Sequence, residues 1–242
     1  DRQLTAKMLA VLPNLGLVVC REPLQSPDVL RSVGVSIDRL RIAGDEAVGF
    51  AFDRRPAVLG GGLGIPYKAG EALPPSPADY GAMVARVTQG WDVRLMFEPG
   101  RVIAGNAGVL LTEVLWLKPG AGAPFVIVDA AMNDLARPSM YDAWHDFQPV
   151  VQSSERMTAS IVGPVCETGD TFAIGREIDA VREGDLAVFR TAGAYGATMA
   201  STYNSRALVP EVMVDGDKFA VVADRIPAGT IMAAERVPDW LR

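Results

Sequence analysis

Val165-Cys166-Glu167-Thr168-Gly169-Asp170 closes an apolar β-run, residues 158–165, and hands a thiol and a carboxylate to a tight loop. A second run, residues 186–191, ends in Ala192-Gly193-Ala194-Tyr195-Gly196, a tyrosine set among glycines. Both are strand ends that deliver chemistry-bearing groups to a loop, and the runs around them give the chain its β character after residue 102. Residues 107–118 alternate as a long strand up to the turn Pro119-Gly120-Ala121-Gly122, and residues 125–129 read as a buried-type apolar strand. Residues 211–214 and 219–223 are two further strands, with Asp215-Gly216 read as a hairpin turn whose two central positions take positive φ. Residues 133–144 form the main non-β insertion.

Ahead of residue 102 the periodicity changes. Residues 15–20 are β-rich, residues 26–33 suit a helix begun at Ser26-Pro27-Asp28 and closed by Gly34, residues 40–44 alternate like a short strand, and residues 45–52 look helical. After a break at Arg54-Arg55-Pro56, residues 57–59 lead into Gly60-Gly61-Gly62-Leu63-Gly64-Ile65-Pro66-Tyr67. Within residues 75–91, Tyr80, Met83, Val84 and Val87 fall at i, i+3, i+4 and i+7, the spacing of a helix. Residues 93–97 are then a strand ending at Glu98-Pro99-Gly100-Arg101. Strand, glycine loop, helix, strand is a βαβ pattern. The expected organisation is therefore α/β over residues 1–101 and a β-domain over residues 102–242.

Composition narrows the function. Formal net charge is −6 and the basic residues are scattered singly, which argues against nucleic acid as a partner. No apolar run reaches the ~20 residues of a membrane span, and the first residues lack the apolar core of a signal peptide. Two cysteines, Cys20 and Cys166, fit a reducing cytoplasm better than a disulfide framework. The single histidine, His145, excludes a multi-histidine metal site, and we expect no metal. It reads as structural.

Taken alone, each motif has two readings. The run Gly60, Gly61, Gly62, Gly64 lets backbone amides approach a phosphate, or is a strand-to-helix turn without a ligand. Glu98 and Arg101 flank a turn where barrel enzymes place catalytic groups, or form a solvated surface pair. Arg137 and Tyr141 share a face if Met132-Asn133-Asp134-Leu135-Ala136-Arg137-Pro138 runs into a helix, but Arg and Tyr on a helix are usually surface residues. A lone cysteine such as Cys166 is more often a small buried hydrophobe than a catalytic thiol.

In this order the five motifs resemble the fold-type III, pyridoxal-phosphate-dependent decarboxylases, the diaminopimelate decarboxylase family foremost, across residues 57–242. That resemblance implies a (β/α)8 barrel of the alanine-racemase type, here partial, followed by a C-terminal Greek-key β-domain. It implies pyridoxal 5′-phosphate as cofactor and conversion of meso-2,6-diaminopimelate to L-lysine. Gly60, Gly61, Gly62, Gly64, Gly100, Arg101 and Tyr195 would hold the cofactor phosphate, and Glu98 would face the pyridinium nitrogen. Arg101, Arg137, Tyr141 and Tyr195 would bind substrate, Glu167 would recognise its distal ammonium group, and Cys166 would donate the proton after decarboxylation. Cys166 and Glu167 would enter a neighbouring subunit's site, implying a homodimer, and Tyr203-Asn204 continues the pattern.

The chain departs from the family upstream of Gly60. A whole barrel takes ~250 residues, yet only residues 1–101 precede the β-domain. The histidine that stacks on the cofactor ring is absent. Of the four lysines, Lys7, Lys68, Lys118 and Lys218, only Lys7 precedes the glycine cluster and is the candidate Schiff-base lysine, the alternative being a solvated or capping one. Omitted barrel segments, a truncated or redesigned chain, and a shortened relative without cofactor all remain open. So do two alternative functions: a cofactor-free binding or regulatory protein, and a decarboxylase of another diamino acid.

Overall fold

The structure is a computed structural model that describes Val18–Cys20, Leu40–Ile42, Pro56–Gly60 and residues 62–68, 70–91 and 94–241. Lys7, Gly61 and the helices expected over residues 26–33 and 45–52 lie outside the described residues. The chain divides into two compact units, Asp1–Ile65 with Ala72–Ile103, and Pro66–Glu71 with Ala104–Arg242.

In the first unit, β1 (Val18–Cys20) pairs parallel with β2 (Leu40–Ile42). Strand β3 (Pro56–Gly60) pairs parallel with β4 (Arg94–Glu98), in a register that runs from Pro56 opposite Arg94 to Gly60 opposite Glu98. The helix between them, α1 (Pro77–Val87), starts where the sequence supplies a capping box. Ser76 Oγ accepts from Asp79 N–H at 3.2 Å, and the Asp79 carboxylate accepts from Ser76 N–H at 3.0 Å. Pro77 at the first position needs no partner for an N–H it lacks. The Ser76 hydroxyl, donating to the same carboxylate at 2.7 Å, and then the Ser76 N–H hold the Asp79 carboxyl below its ordinary pKa. Val84 is the buried residue of the helix, and Tyr80 meets the Phe97 ring edge-on at 6.2 Å.

A short helix, α2 (Gly100–Ala104), precedes β5 (Leu110–Lys118). The second unit is built on a six-stranded sheet. At its centre β5 pairs antiparallel with β6 (Phe125–Val128) and with β10 (Leu186–Phe189). Beyond β10 lies β7 (Phe147–Pro149), and beyond β6 lie β8 (Arg156–Val162), parallel to it, and β9 (Thr171–Asp179). Strands β7 and β9 end the strand order, yet Phe147 and Phe172 from these two strands both pack on Phe189 of β10, at 5.3 and 4.3 Å between ring centroids. The sheet is therefore rolled on itself around Val114, Val126, Val128, Leu135, Ile161 and these rings. Burying a side chain such as Phe189 contributes about 2–3 kcal/mol.

Two local expectations change. Residues 171–179 carry no strand signal in the sequence, because Gly175 and the charged Arg176 and Glu177 interrupt the alternation. They form β9 all the same, with Gly175 at φ 54° in a register irregularity whose freed N–H donates to Ser160 Oγ at 3.1 Å. In the hairpin of β11 (Glu211–Asp215) and β12 (Lys218–Ala223), Asp215 pairs with Lys218. The central residues are thus Gly216 and Asp217, and Gly216 alone has positive φ, at 61°. Glycine at the first central position suffices for that turn, so Asp215 stays in the strand.

Candidate active site

In the first unit the register of β3 and β4 sets Gly60 directly beside Glu98, at the carboxyl ends of two parallel strands. α/β barrels place their chemistry at those ends. The backbone past Gly60 is bare: a Cβ on Gly62 would meet nothing within 4 Å, whereas one on Gly64 would press Pro74 Cβ at 3.3 Å. Bare glycine backbone at Gly62 would admit a phosphate, and a half-buried carboxylate at the neighbouring strand end, Glu98, would suit a protonated ring nitrogen. Gly100 and Arg101 begin α2.

In the second unit the helix α3 (Arg137–Tyr141) follows the Met132–Asn133–Asp134 turn. That turn is pinned by Asp134, whose carboxylate accepts from Ala131 N–H at 2.9 Å, and by the fully buried Leu135. Arg137 is consequently only 9% exposed. Its guanidinium lies 4.5 Å from the centre of the Tyr67 ring and 5.9 Å from that of Tyr195, and Nη1 is 3.2 Å from His145 Nε2. Among the described residues no carboxylate pairs with it. Tyr195 sits at φ 62°, in the left-handed region, which turns its ring toward this cluster. Tyr141, the last residue of the same helix, remains 60% exposed, and Asp142, in the left-handed region at φ 51°, ends the helix.

The Cys166 loop is held from below by Asp170. One carboxylate oxygen accepts from Val165 N–H at 2.7 Å, the other from Met132 N–H at 2.6 Å. Asp170 therefore ties the loop of the thiol to the loop that opens α3, and Ser139 Oγ, donating to Gly169 O, is a second tie. Gly163 has no alternative at its position, since a Cβ there would overlap the Asp170 carboxylate. Within this frame Cys166 is a free, exposed thiol. The Glu167 carboxylate is oriented by two donors, Gly169 N–H at 3.2 Å and the Tyr203 hydroxyl at 3.3 Å.

Burial raises the carboxyl pKa of both Asp170 and Asp134 above 3.8, against the lowering effect of their backbone hydrogen bonds. A carboxyl raised on folding holds its proton to higher pH in the folded state than in the unfolded one. Its contribution to stability is complete below 3.8 and is lost as pH rises through the folded value. Asp170→Asn leaves one acceptor for two N–H groups, so it should cost about 1–3 kcal/mol at neutral pH. The variant has no such titration, so its deficit should be larger near pH 4 than near pH 7. Urea midpoints of both proteins across that range check this, and a deficit that shrinks on acidification would contradict the buried-carboxyl argument.

The structure thus groups Arg137 with Tyr195, and ties the loop of Cys166 and Glu167 to α3 and the turn before it through Asp170 and Ser139. Tyr67, His145, Asp170 and Ser139 escaped the sequence reading as site residues. Signals existed for two of them: His145 is the only histidine in the chain, and Asp170 closes the cysteine motif. Partners such as Arg137, 8 residues from His145, and Met132, 38 residues from Asp170, left no trace in local periodicity. No cluster of metal-ligating residues occurs among the described residues, and no helix among them is long and apolar enough to cross a membrane.

Residues 17–193 match the family described as pyridoxal-dependent decarboxylase, C-terminal sheet domain. The chain is 55% identical over 185 residues to the diaminopimelate decarboxylase of Zymomonas mobilis, which covers 76% of this chain and 44% of that protein. It is 48% identical over 181 residues to the Vibrio cholerae diaminopimelate decarboxylase, across 74% of this chain and 43% of that one. Among solved structures, the Helicobacter pylori diaminopimelate decarboxylase complexed with L-lysine superposes with a TM-score of 0.68 at 34% identity, covering 86% of this chain and 47% of that chain. The chain spans less than half the length of these curated relatives.

Proposed function

The chain belongs to the pyridoxal-dependent decarboxylases, and on that premise we propose that it serves the decarboxylation of meso-2,6-diaminopimelate to L-lysine with pyridoxal 5′-phosphate. The observation that carries this reading is the buried Arg137 guanidinium, flanked by Tyr67 and Tyr195 and lacking a carboxylate among the described residues. A desolvated cation is costly until an anion meets it, and an amino-acid carboxylate fits its fork.

The cofactor's ring supplies an electron sink for the pair released as carbon dioxide leaves. The residues have separate tasks. Gly60, Gly61, Gly62, Gly64, Gly100, Arg101 and Tyr195 hold the phosphate, and Glu98 keeps the ring nitrogen protonated. Arg101, Arg137, Tyr141 and Tyr195 receive the substrate. Glu167, oriented by Tyr203, takes the distal ammonium group, which selects a diamino acid. Cys166 returns a proton to the α-carbon. Lys7 is the residue assigned to covalent attachment of the cofactor. Completion of the site by a second copy of the chain, a partial barrel over residues 1–101 and a cytoplasmic location belong to the same reading.

The test is product formation by the 242-residue chain supplied with pyridoxal phosphate and meso-diaminopimelate. One carbon dioxide released per L-lysine formed, dependent on the cofactor, is expected. A folded, cofactor-supplied chain that forms neither product overturns the reading.

A further inference from the structure

We propose that His145 is a positioning residue for Arg137: as a neutral imidazole protonated at Nδ1 it fixes the guanidinium that receives the substrate carboxylate, and taking up a second proton releases it. This rests on the reading of Arg137 given above and goes beyond it, because His145 touches neither substrate nor cofactor in that reading.

The hydrogen-bond partners allow one tautomer. Arg137 Nη1 can only donate, so His145 Nε2, 3.2 Å away, must present its lone pair. The backbone carbonyl of Arg190 can only accept, so Nδ1, 2.9 Å away, must carry the hydrogen. The doubly protonated ring satisfies the second contact and destroys the first, setting two positive charges face to face. A ring with hydrogen on Nε2 loses both.

The groups facing the ring come from every side. Arg137 is on α3 and Arg176, whose Nη1 donates to His145 O at 2.5 Å, is on β9. Asp146 is the next residue, occupied by Trp144 Nε1–H at 2.5 Å. The Tyr67 ring meets the imidazole edge-on at 5.5 Å. The Arg190 side chain turns away to Gln148 at 2.9 Å. Burial is the largest influence holding the His145 pKa below 6.5; the hydrogen bond to Arg190 opposes it, Arg137 and Arg176 add to it, and Asp146 opposes it. At neutral pH the ring is the acceptor that Arg137 needs.

His145 is 1% exposed, with its two ring nitrogens committed to these contacts. Arg137 in turn has no polar side-chain partner other than His145 among the described residues, while its stacked faces leave the rest of the fork for an anion. Without the imidazole the guanidinium can slide along the Tyr67 ring. The expected loss is therefore in substrate binding rather than in the chemical step.

Because His145 is the only histidine, a two-bond 1H–15N correlation spectrum of the labelled chain reads its imidazole without assignment. The expected pattern is Nδ1–H with a bare Nε2, titrating below ~6.5. Arg137→Gln should move that titration upward. In the cofactor-supplied chain, His145→Phe should raise KM for meso-diaminopimelate about ten-fold, the worth of one charge-assisted hydrogen bond, with kcat within about three-fold. His145→Gln, whose amide oxygen can accept from Arg137 but takes no proton, should restore KM and remove its rise on acidification. An Nε2–H pattern, a titration unmoved by Arg137→Gln, or an unchanged KM in His145→Phe would overturn the proposal. If the unaltered chain turns over no diaminopimelate, the decarboxylase reading fails on its own, and the spectrum with Arg137→Gln still decides whether His145 and Arg137 are coupled.

Discussion

Gly193→Ala is expected to destabilise the second unit by about 3–5 kcal/mol, enough to leave much of it unfolded near room temperature. Residues 192–193 cross the backbone that follows α2 at van der Waals limits. A Cβ on Gly193 would overlap the Ala104 carbonyl oxygen and lie 2.7 Å from Gly108 N, and a Cβ on Gly108 would lie 2.6 Å from Gly193 Cα. These are backbone atoms, so no rotamer change relieves the overlap. The two segments must part, and with them go the hydrogen bonds from Ala192 N–H to Gly108 O at 2.9 Å and from Gly193 N–H to Gly105 O at 3.1 Å. Tyr195, two residues on in its left-handed conformation, loses the platform that sets its ring near Arg137. Urea unfolding followed by tryptophan fluorescence measures the effect, with Gly122→Ala as control, since a Cβ there meets nothing within 4 Å. Equal midpoints for the two variants would refute the crossing as a constraint.

On the decarboxylase reading proposed above, Cys166→Ala is expected to lower turnover by about 10²–10³-fold, the usual worth of a positioned proton donor. Its KM should hold, because that reading gives substrate binding to Arg137 and Glu167 and not to the thiol. Cys166→Ser should recover little, since a hydroxyl is a far weaker acid than a thiol. The thiol is exposed at the tip of a turn that Asp170 holds from beneath, so removing it leaves the hydrogen bonds of the turn in place. Stability should therefore stay within about 0.5 kcal/mol, as for other surface substitutions. Steady-state rates beside a melting curve separate the two effects. A folded Cys166→Ala protein with unreduced turnover would remove the thiol from the chemistry.

Much of this molecule can be read along the chain. Helix α1 was legible because its apolar spacing is a local signal; the Ser76–Pro77–Asp79 start, equally local, went unread. The strands around residues 110–118, 125–128 and 186–189 were legible because one face of each enters a core. Strand β9 was not, since its pairing with β8 overrides a glycine and two charges that argue against a strand. The hairpin turn was misplaced by one residue, because pairing register rather than dipeptide preference fixed which residues are central.

The sequence by itself determined the family and the inventory of reactive groups, since a thiol, a carboxylate and a glycine loop at strand ends are statements about residue type and order. Only the tertiary structure decided what each group can do. It rolled the sheet so that Phe147, Phe172 and Phe189 meet, and it put a carboxylate, Asp170, beneath two loops separated by more than thirty residues. It also turned the one histidine from a bystander into the acceptor that Arg137 faces. Such partnerships arise from which buried groups must share hydrogen bonds once water is excluded, and that demand appears only when distant segments have been packed together.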